Sequence, residues 1–194
     1  MERYLEEGLI ALVPVYTSSD RALVVTSKAE HSEGRTVPWL IEKLANHYSM
    51  NINKLRQRYG DMLHVKKHVT IPINEDIVMI PVKTRTAICP GETTVGYCNL
   101  LQVDHVCDEE DPGSEALSII VCRSGYKLKT LNTAETLRDK IRQGEQVRQD
   151  FVKLRANQGP AYAGLSVHDI TFPNCDCILL DMFRSMLRFK DDDE

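Results

Sequence analysis

Cations set in close pairs are the side chains of this sequence best suited to a chemistry, and that chemistry is the binding of phosphate. Lys66, Lys67 and His68 stand in a row, and Lys83 and Arg85 follow at a spacing of two, as Lys127 and Lys129 do further on. Lys54, Arg56 and Arg58 form another set with the same spacing. Ammonium and guanidinium groups arrayed this way attract a polyanion through its backbone, whatever its base sequence. Charge runs also occur on ordinary solvated faces, so the elements that carry them decide between the two readings.

The chain has 24 Lys and Arg against 28 Asp and Glu, a formal net charge of −4. Its cations are nevertheless concentrated. Residues 54–85 hold seven against three acids and residues 127–155 hold eight against four, so each segment is +4 and the remainder is −12. Segregation of this kind can build a positive face on an acidic protein.

Other chemistries find less support. No P-loop, GxGxxG, GxSxG or HExxH signature occurs. The six cysteines, at 89, 98, 107, 122, 175 and 177, include no CxxC pair. Cys175-Asp176-Cys177 and His105-Val106-Cys107, with Cys98 nearby, are the nearest approach to a zinc-ligand set, and they lack its spacing. A Cys–His nucleophilic pair would need its partners joined by the fold, and nothing selects one cysteine from six. The expectation is a non-enzyme without metal or cofactor. No stretch approaches the ~20 apolar residues that span a bilayer, and no early apolar run is flanked by positive charge. The chain is therefore read as cytoplasmic, with no membrane partner and with reduced thiols.

The elements that must position the cations follow from periodicity. Val69-Thr70-Ile71 and Ile77–Val82 are β-branched runs joined by a polar turn, Asn74-Glu75-Asp76, which predicts a hairpin with basic open ends. Pro72 cannot donate to a ladder, so the first strand ends there or lies at a sheet edge. Upstream, Leu9–Val15 and Ala22–Ser27 read as strands, the first too continuously apolar to leave a face in water. Glu30–Arg35 reads as a polar loop with a solvated His31. Thr36-Val37-Pro38 opens a helix. From Leu40 to Gly60 the rhythm is that of a helix-turn-helix. Ala45 is the small residue, Ser49 takes the turn, and Ile52 and Leu55 anchor a second helix that shows Lys54, Arg56 and Arg58 to solvent.

Downstream, Val95–Val106 reads as one long strand and Cys107–Glu115 as an acidic loop. Ala116–Cys122 and Tyr126–Thr130 form a further hairpin, with Lys127 and Lys129 together on one face. Thr133 to about Asn157 is an amphipathic helix striped by Leu137, Ile141, Val147, Phe151 and Leu154, with Asn132 and Glu135 spaced as a capping box. A Gly- and Pro-bearing linker leads to a last amphipathic helix, Ile178–Phe189, whose Met182, Phe183 and Met186 offer a docking face, and then to an acidic tail. The fold class expected is α+β: antiparallel sheet and hairpins with a long amphipathic helix and a C-terminal helix. Residues 1–157 form the main domain, and 158–194 the linker, helix and tail.

In this order the segments resemble the competence transcription factor (ComK-like) family of bacterial activators. The resemblance rests on Lys66–Ile73 and Ile77–Arg85, on the segment Asn46–Arg58, on Cys89-Pro90 to Val106, on Ile119–Thr133 and on the two C-terminal helices. Where the family carries a glycine- and serine-rich segment, this chain has Tyr48–Lys54 without glycine. The resemblance implies an oligomer that binds AT-rich double-stranded promoter DNA through the minor groove and activates DNA-uptake genes. It also implies an adaptor that passes the protein to a protease through an aromatic-proline segment, for which Phe172-Pro173 is the counterpart. A narrow AT-rich minor groove draws in Lys and Arg, in keeping with Lys66, Lys67, Lys83 and Arg85. Two alternatives stand beside this one: a major-groove helix at Asn51–Arg58, and a protein-interaction regulator that docks by its terminal helix and no longer binds DNA.

Overall fold

The computed structural model describes residues 1–16, 19–111 and 113–157, which fall within the unit Met1–Asn157. The fold is α+β. Helix α1 (Glu2–Glu6) precedes strands β1 (Leu9–Tyr16), β2 (Asp20–Thr26) and β3 (Glu30–Glu33), then helices α2 (Val37–His47) and α3 (Ile52–Leu63). Strands β4 (Ile71–Pro72), β5 (Val78–Lys83) and β6 (Val95–Asn99) follow, then a 3-10 turn, strands β7 (Val103–Asp108), β8 (Ser118–Cys122) and β9 (Lys127–Thr130), and the long helix α4 (Ala134–Asn157). An antiparallel six-stranded sheet runs β3-β2-β1-β6-β5-β4, and a three-stranded sheet runs β7-β8-β9. The helix expected at Ile178–Phe189, with Phe172, Pro173, Met182, Phe183 and Met186, and the cysteines at 175 and 177, lie outside the described residues.

Side chains on successive strand residues point to opposite faces, and this sorts the core into two layers. Leu12, Val24, Met79 and Tyr97 face α2 and α3. Ile10, Val25, Val78, Ile80 and Cys98 face the three-stranded sheet through Ile120, Cys122 and Leu128. Helix α4 serves both layers, giving Leu137 to the second and Val147 and Phe151 to the first. It packs close to the sheet at Gly144, where a Cβ would lie 2.9 Å from Ile80 Cγ2.

The predicted hairpin forms, with Ile71 opposite Met79 and Pro72 opposite Val78, and β4 is an edge strand as Pro72 requires. It is no free ribbon, however. Ile71, Ile73, Met79 and Ile80 are fully buried, and truncating any one to alanine should cost about 2–5 kcal/mol. Pro81, inside β5, is tolerated for a reason of direction. Thr84 donates inward to Thr94 O and Lys83 donates outward to Asn132 Oδ1, so alternation turns the nitrogen of Pro81 to the side that β4 leaves unpaired.

Three local readings need correction. The long strand expected over Val95–Val106 breaks at Asn99 into β6 and β7, which belong to different sheets. Asn99 makes the corner: its Oδ1 accepts from Val78 N and Leu101 N, and its Nδ2 reaches Leu9 O and Asp76 O. Residues 30–33 form strand β3 on the edge of β2, and His31 is no solvated side chain, since its Nε2 lies 2.6 Å from Glu7 Oε2. Helix α4 is capped by Thr133, whose Oγ1 accepts from Thr136 N, because Asn132 is committed to Lys83.

Candidate nucleic-acid interface

The helix pair forms where the sequence predicts it. Helix α2 buries Val37, Leu40, Ile41, Leu44 and Ala45, and α3 buries Ile52, Leu55, Tyr59 and Gly60. Between them Ser49 adopts φ +55°, the left-handed conformation that usually calls for glycine. Met50 N donates to Ala45 O at 2.9 Å and Ser49 N to Asn46 O at 3.0 Å, the two bonds that close a helix through a left-handed residue. Asn51 Oδ1 then accepts from Asn53 N and Lys54 N and starts α3.

The far end of α3 repeats the device and ejects the basic loop. His64 takes φ +53°, His64 N donates to Asp61 O, and Val65 N donates to Gly60 O at 2.8 Å. A Cβ on Gly60 would stand 2.8 Å from the carbonyl oxygen of Val65, so the tight exit needs glycine. His68 is also left-handed, at φ +54°, and Val69 returns to the core. Non-glycine residues with positive φ are uncommon and collect at sites where backbone strain serves function. Here two of them bracket the exposed pair Lys66-Lys67.

This loop forms one wall of an open cleft of about 1180 Å³. Pro38, Arg56 and Gln57 line the helix side, and Val95 and Tyr97 of β6 line the sheet side. Burial raises the phenol of Tyr97 above its ordinary value, with the neighbouring Arg56 pulling the other way. Lys83 pairs with Val95 across β5 and β6, so the two share the cleft-side face of the sheet. Helix α4 adds Lys140 beside His68. Burial holds His68 below its ordinary value, and Lys140 and Lys67 push it in the same direction. Burial also lowers Lys140. Lys66, Lys67, His68, Lys140 and the side chain of Lys83 have no ion-pair partner among the described residues. Asp61 and Glu92 also line the cleft, but Glu92 is held by Arg85 and neither is ion-paired to Lys66, Lys67 or His68, so an external anion would favour the charged form of His68.

Other cations that the sequence offered for this role are already engaged. Arg85 pairs with Glu92 at 2.8 Å, donates to Thr93 O and lies over the ring of Tyr16, so it builds the loop from 85 to 94 and is not an exposed phosphate contact. The Ile88 backbone N–H and, less strongly, Arg85 hold the Glu92 carboxyl below its usual range. Arg58 is bound to Asp150 of α4 at 2.9 Å. Lys129 pairs with Glu109 at 2.8 Å. Lys127 and Lys129 do share an exposed face, but Leu128 between them points into the layer beneath the six-stranded sheet. They therefore sit on the outer face of the three-stranded sheet, across the core from Lys66 and Lys67. Lys54 remains exposed on the first turn of α3.

Lys140 and the left-handed histidines escape a reading of the sequence. Lys140 looks like one more helix cation, and only the fold brings it to His68. Among the described residues no group of three or more His, Cys, Asp or Glu is placed to hold a metal, and no helix is long and apolar enough to cross a membrane. No protein-family model, curated protein or solved structure matches the chain.

Proposed function

We propose that this protein is a DNA-binding transcriptional regulator of the competence type that grips the phosphates of AT-rich duplex DNA with the loop from His64 to His68. The observation that carries this reading is the trio Lys66, Lys67 and His68 on the wall of one cleft, with Lys140 beside His68 and Lys83 on the same face of the sheet, none of them in an ion pair among the described residues. The contact is made by the loop and not by the hairpin, whose strands are buried. Lysines presented on a short protruding loop suit a narrow, strongly negative minor groove. Activation of DNA-uptake genes and an oligomeric state belong to the proposal through the family resemblance alone. Fluorescence anisotropy with AT-rich and GC-rich duplexes across a salt series tests it. AT-selective binding with a steep salt dependence is expected, and no binding to either duplex at low salt would overturn the reading.

A second reading has its own observation. Ser49 holds the left-handed turn of a helix-turn-helix, and α3 shows Asn53, Lys54 and Gln57 to solvent. Docking of α3 in the major groove would follow. Methylation of major-groove positions would weaken that mode and leave minor-groove binding intact.

A further inference from the structure

Near the cleft lies a feature that phosphate binding leaves unused. Trp39 is the only tryptophan of the chain, and its side chain stands out on α2, with 41% of the residue exposed. A single exposed apolar side chain is ordinary on a protein surface; what sets this ring apart is its cationic setting. One residue before it, Pro38 lines the cleft that holds Lys66 and Lys67. Two cations lie over the ring. Arg35 Cζ lies 5.2 Å from the ring centroid and Lys43 Nζ lies 5.9 Å from it. Trp39 and Lys43 are one helical turn apart, and Arg35 approaches from just before the helix, so the three form a stripe along the exposed face of α2. Neither Arg35 nor Lys43 has a carboxylate partner among the described residues.

Duplex DNA has no use for such a stripe, because its bases are stacked on one another and show only their edges. An unpaired base has an open face, and a flat aromatic ring flanked by cations is the arrangement that binds single strands without reading sequence. We propose that Trp39 is a stacking platform for an unpaired base, with the strand's phosphates on Arg35 and Lys43 and on the adjoining Lys66-Lys67 loop. The occupant is single-stranded nucleic acid. The inference rests on the nucleic-acid reading above and extends it from duplex to unpaired strand.

The full chain titrated with a thymidine oligonucleotide, and separately with the AT-rich duplex, tests it. Because Trp39 is the sole indole, its fluorescence reports the contact directly. Stacking predicts that the single strand quenches the emission. By anisotropy, Trp39→Leu should weaken single-strand binding about tenfold while Trp39→Phe, which keeps an aromatic face, recovers most of the loss. Duplex affinity should not change in either variant. Single-strand binding without quenching, or a Trp39→Leu variant that binds the single strand as well as the native chain, would overturn the stacking role and leave the duplex reading standing. Failure of the native chain to bind either nucleic acid would overturn both.

Discussion

Two regions of this molecule carry the same local charge and place it on different faces. Residues 54–85 and 127–155 are each +4 along the sequence. In the first, the fold leaves Lys54, Lys66, Lys67 and Lys83 without counter-charges and brings Lys140 from the second to join them. In the second, Glu109 takes Lys129 and Asp139 takes Arg142, while Asp150 takes Arg58 from the first segment; Lys127 is in no ion pair among the described residues but sits on the outer face of the three-stranded sheet, away from the cleft. Arg148 Nε is spent on Glu75 O at the hairpin turn. Charge counted along a chain is therefore a poor guide to the field it makes. What matters is which acids the fold delivers to each cation.

Gly60 offers the largest effect that separates the two regions. Its substitution by valine adds atoms where even a Cβ would be 2.8 Å from Val65 O, so the loop must move. A loss of roughly 2–3 kcal/mol in denaturant unfolding is expected, together with weaker DNA binding. A destabilised variant that binds DNA as tightly as the native chain would show that loop geometry is irrelevant. Loss of Arg85 gives the converse. Arg85→Ala leaves the Glu92 carboxylate without its ion-pair partner, so thermal stability should fall while the salt dependence of DNA binding stays the same. A reduced salt slope would mean that Arg85 reaches phosphate after all.

A smaller effect comes from pH. His68 titrates below its ordinary value in the free protein, so it is neutral at neutral pH, and a bound phosphate would favour its protonated form. Binding then takes up a proton, and affinity should rise as the pH falls from about 7 to about 5.5. His68→Asn should flatten that rise, and an affinity that weakens in acid would contradict it. Smallest is an acid effect remote from the cleft. Arg3 and His31, bonded to Glu7 at 2.9 Å and 2.6 Å, with help from Thr26, hold the Glu7 carboxyl down at about 2 against an ordinary 4.5. A depressed carboxylate contributes stability above its unfolded value and loses it as the pH falls through the folded one. Glu7→Gln should thus lower the melting temperature above about pH 4.5 and narrow the gap to the native chain towards pH 2, with DNA binding at neutral pH unchanged. A gap that stays constant over that range would argue against the carboxylate's role.

Much of the fold was legible because the relevant signals are local. The β-branched run of β5, alternation along β9, the stripe from Leu137 to Phe151 and the edge position demanded by Pro72 all follow from residues close in sequence. Ser49 in the helix-turn-helix is a subtler case, in which spacing alone identified the residue that takes the left-handed turn without being glycine. The misreadings share a different cause. The break at Asn99 depends on a side chain that reaches Leu9 and Asp76, and the edge strand at residues 30–33 depends on β2. Of the candidate site, the Lys66-Lys67 loop could be read directly. The withdrawal of Arg58, Arg85 and Lys129 and the arrival of Lys140 could not, because three of those four changes depend on residues far away in sequence.

The salt dependence of AT-duplex affinity, compared between Lys66→Ala/Lys67→Ala and Lys127→Ala/Lys129→Ala, tests the difference between the two regions most directly. The account predicts that the first pair of substitutions lowers the slope by about one for each lost phosphate contact, on every DNA sequence, and that the second pair leaves it unchanged. An unchanged slope in the first variant, or an equal fall in both, would contradict it.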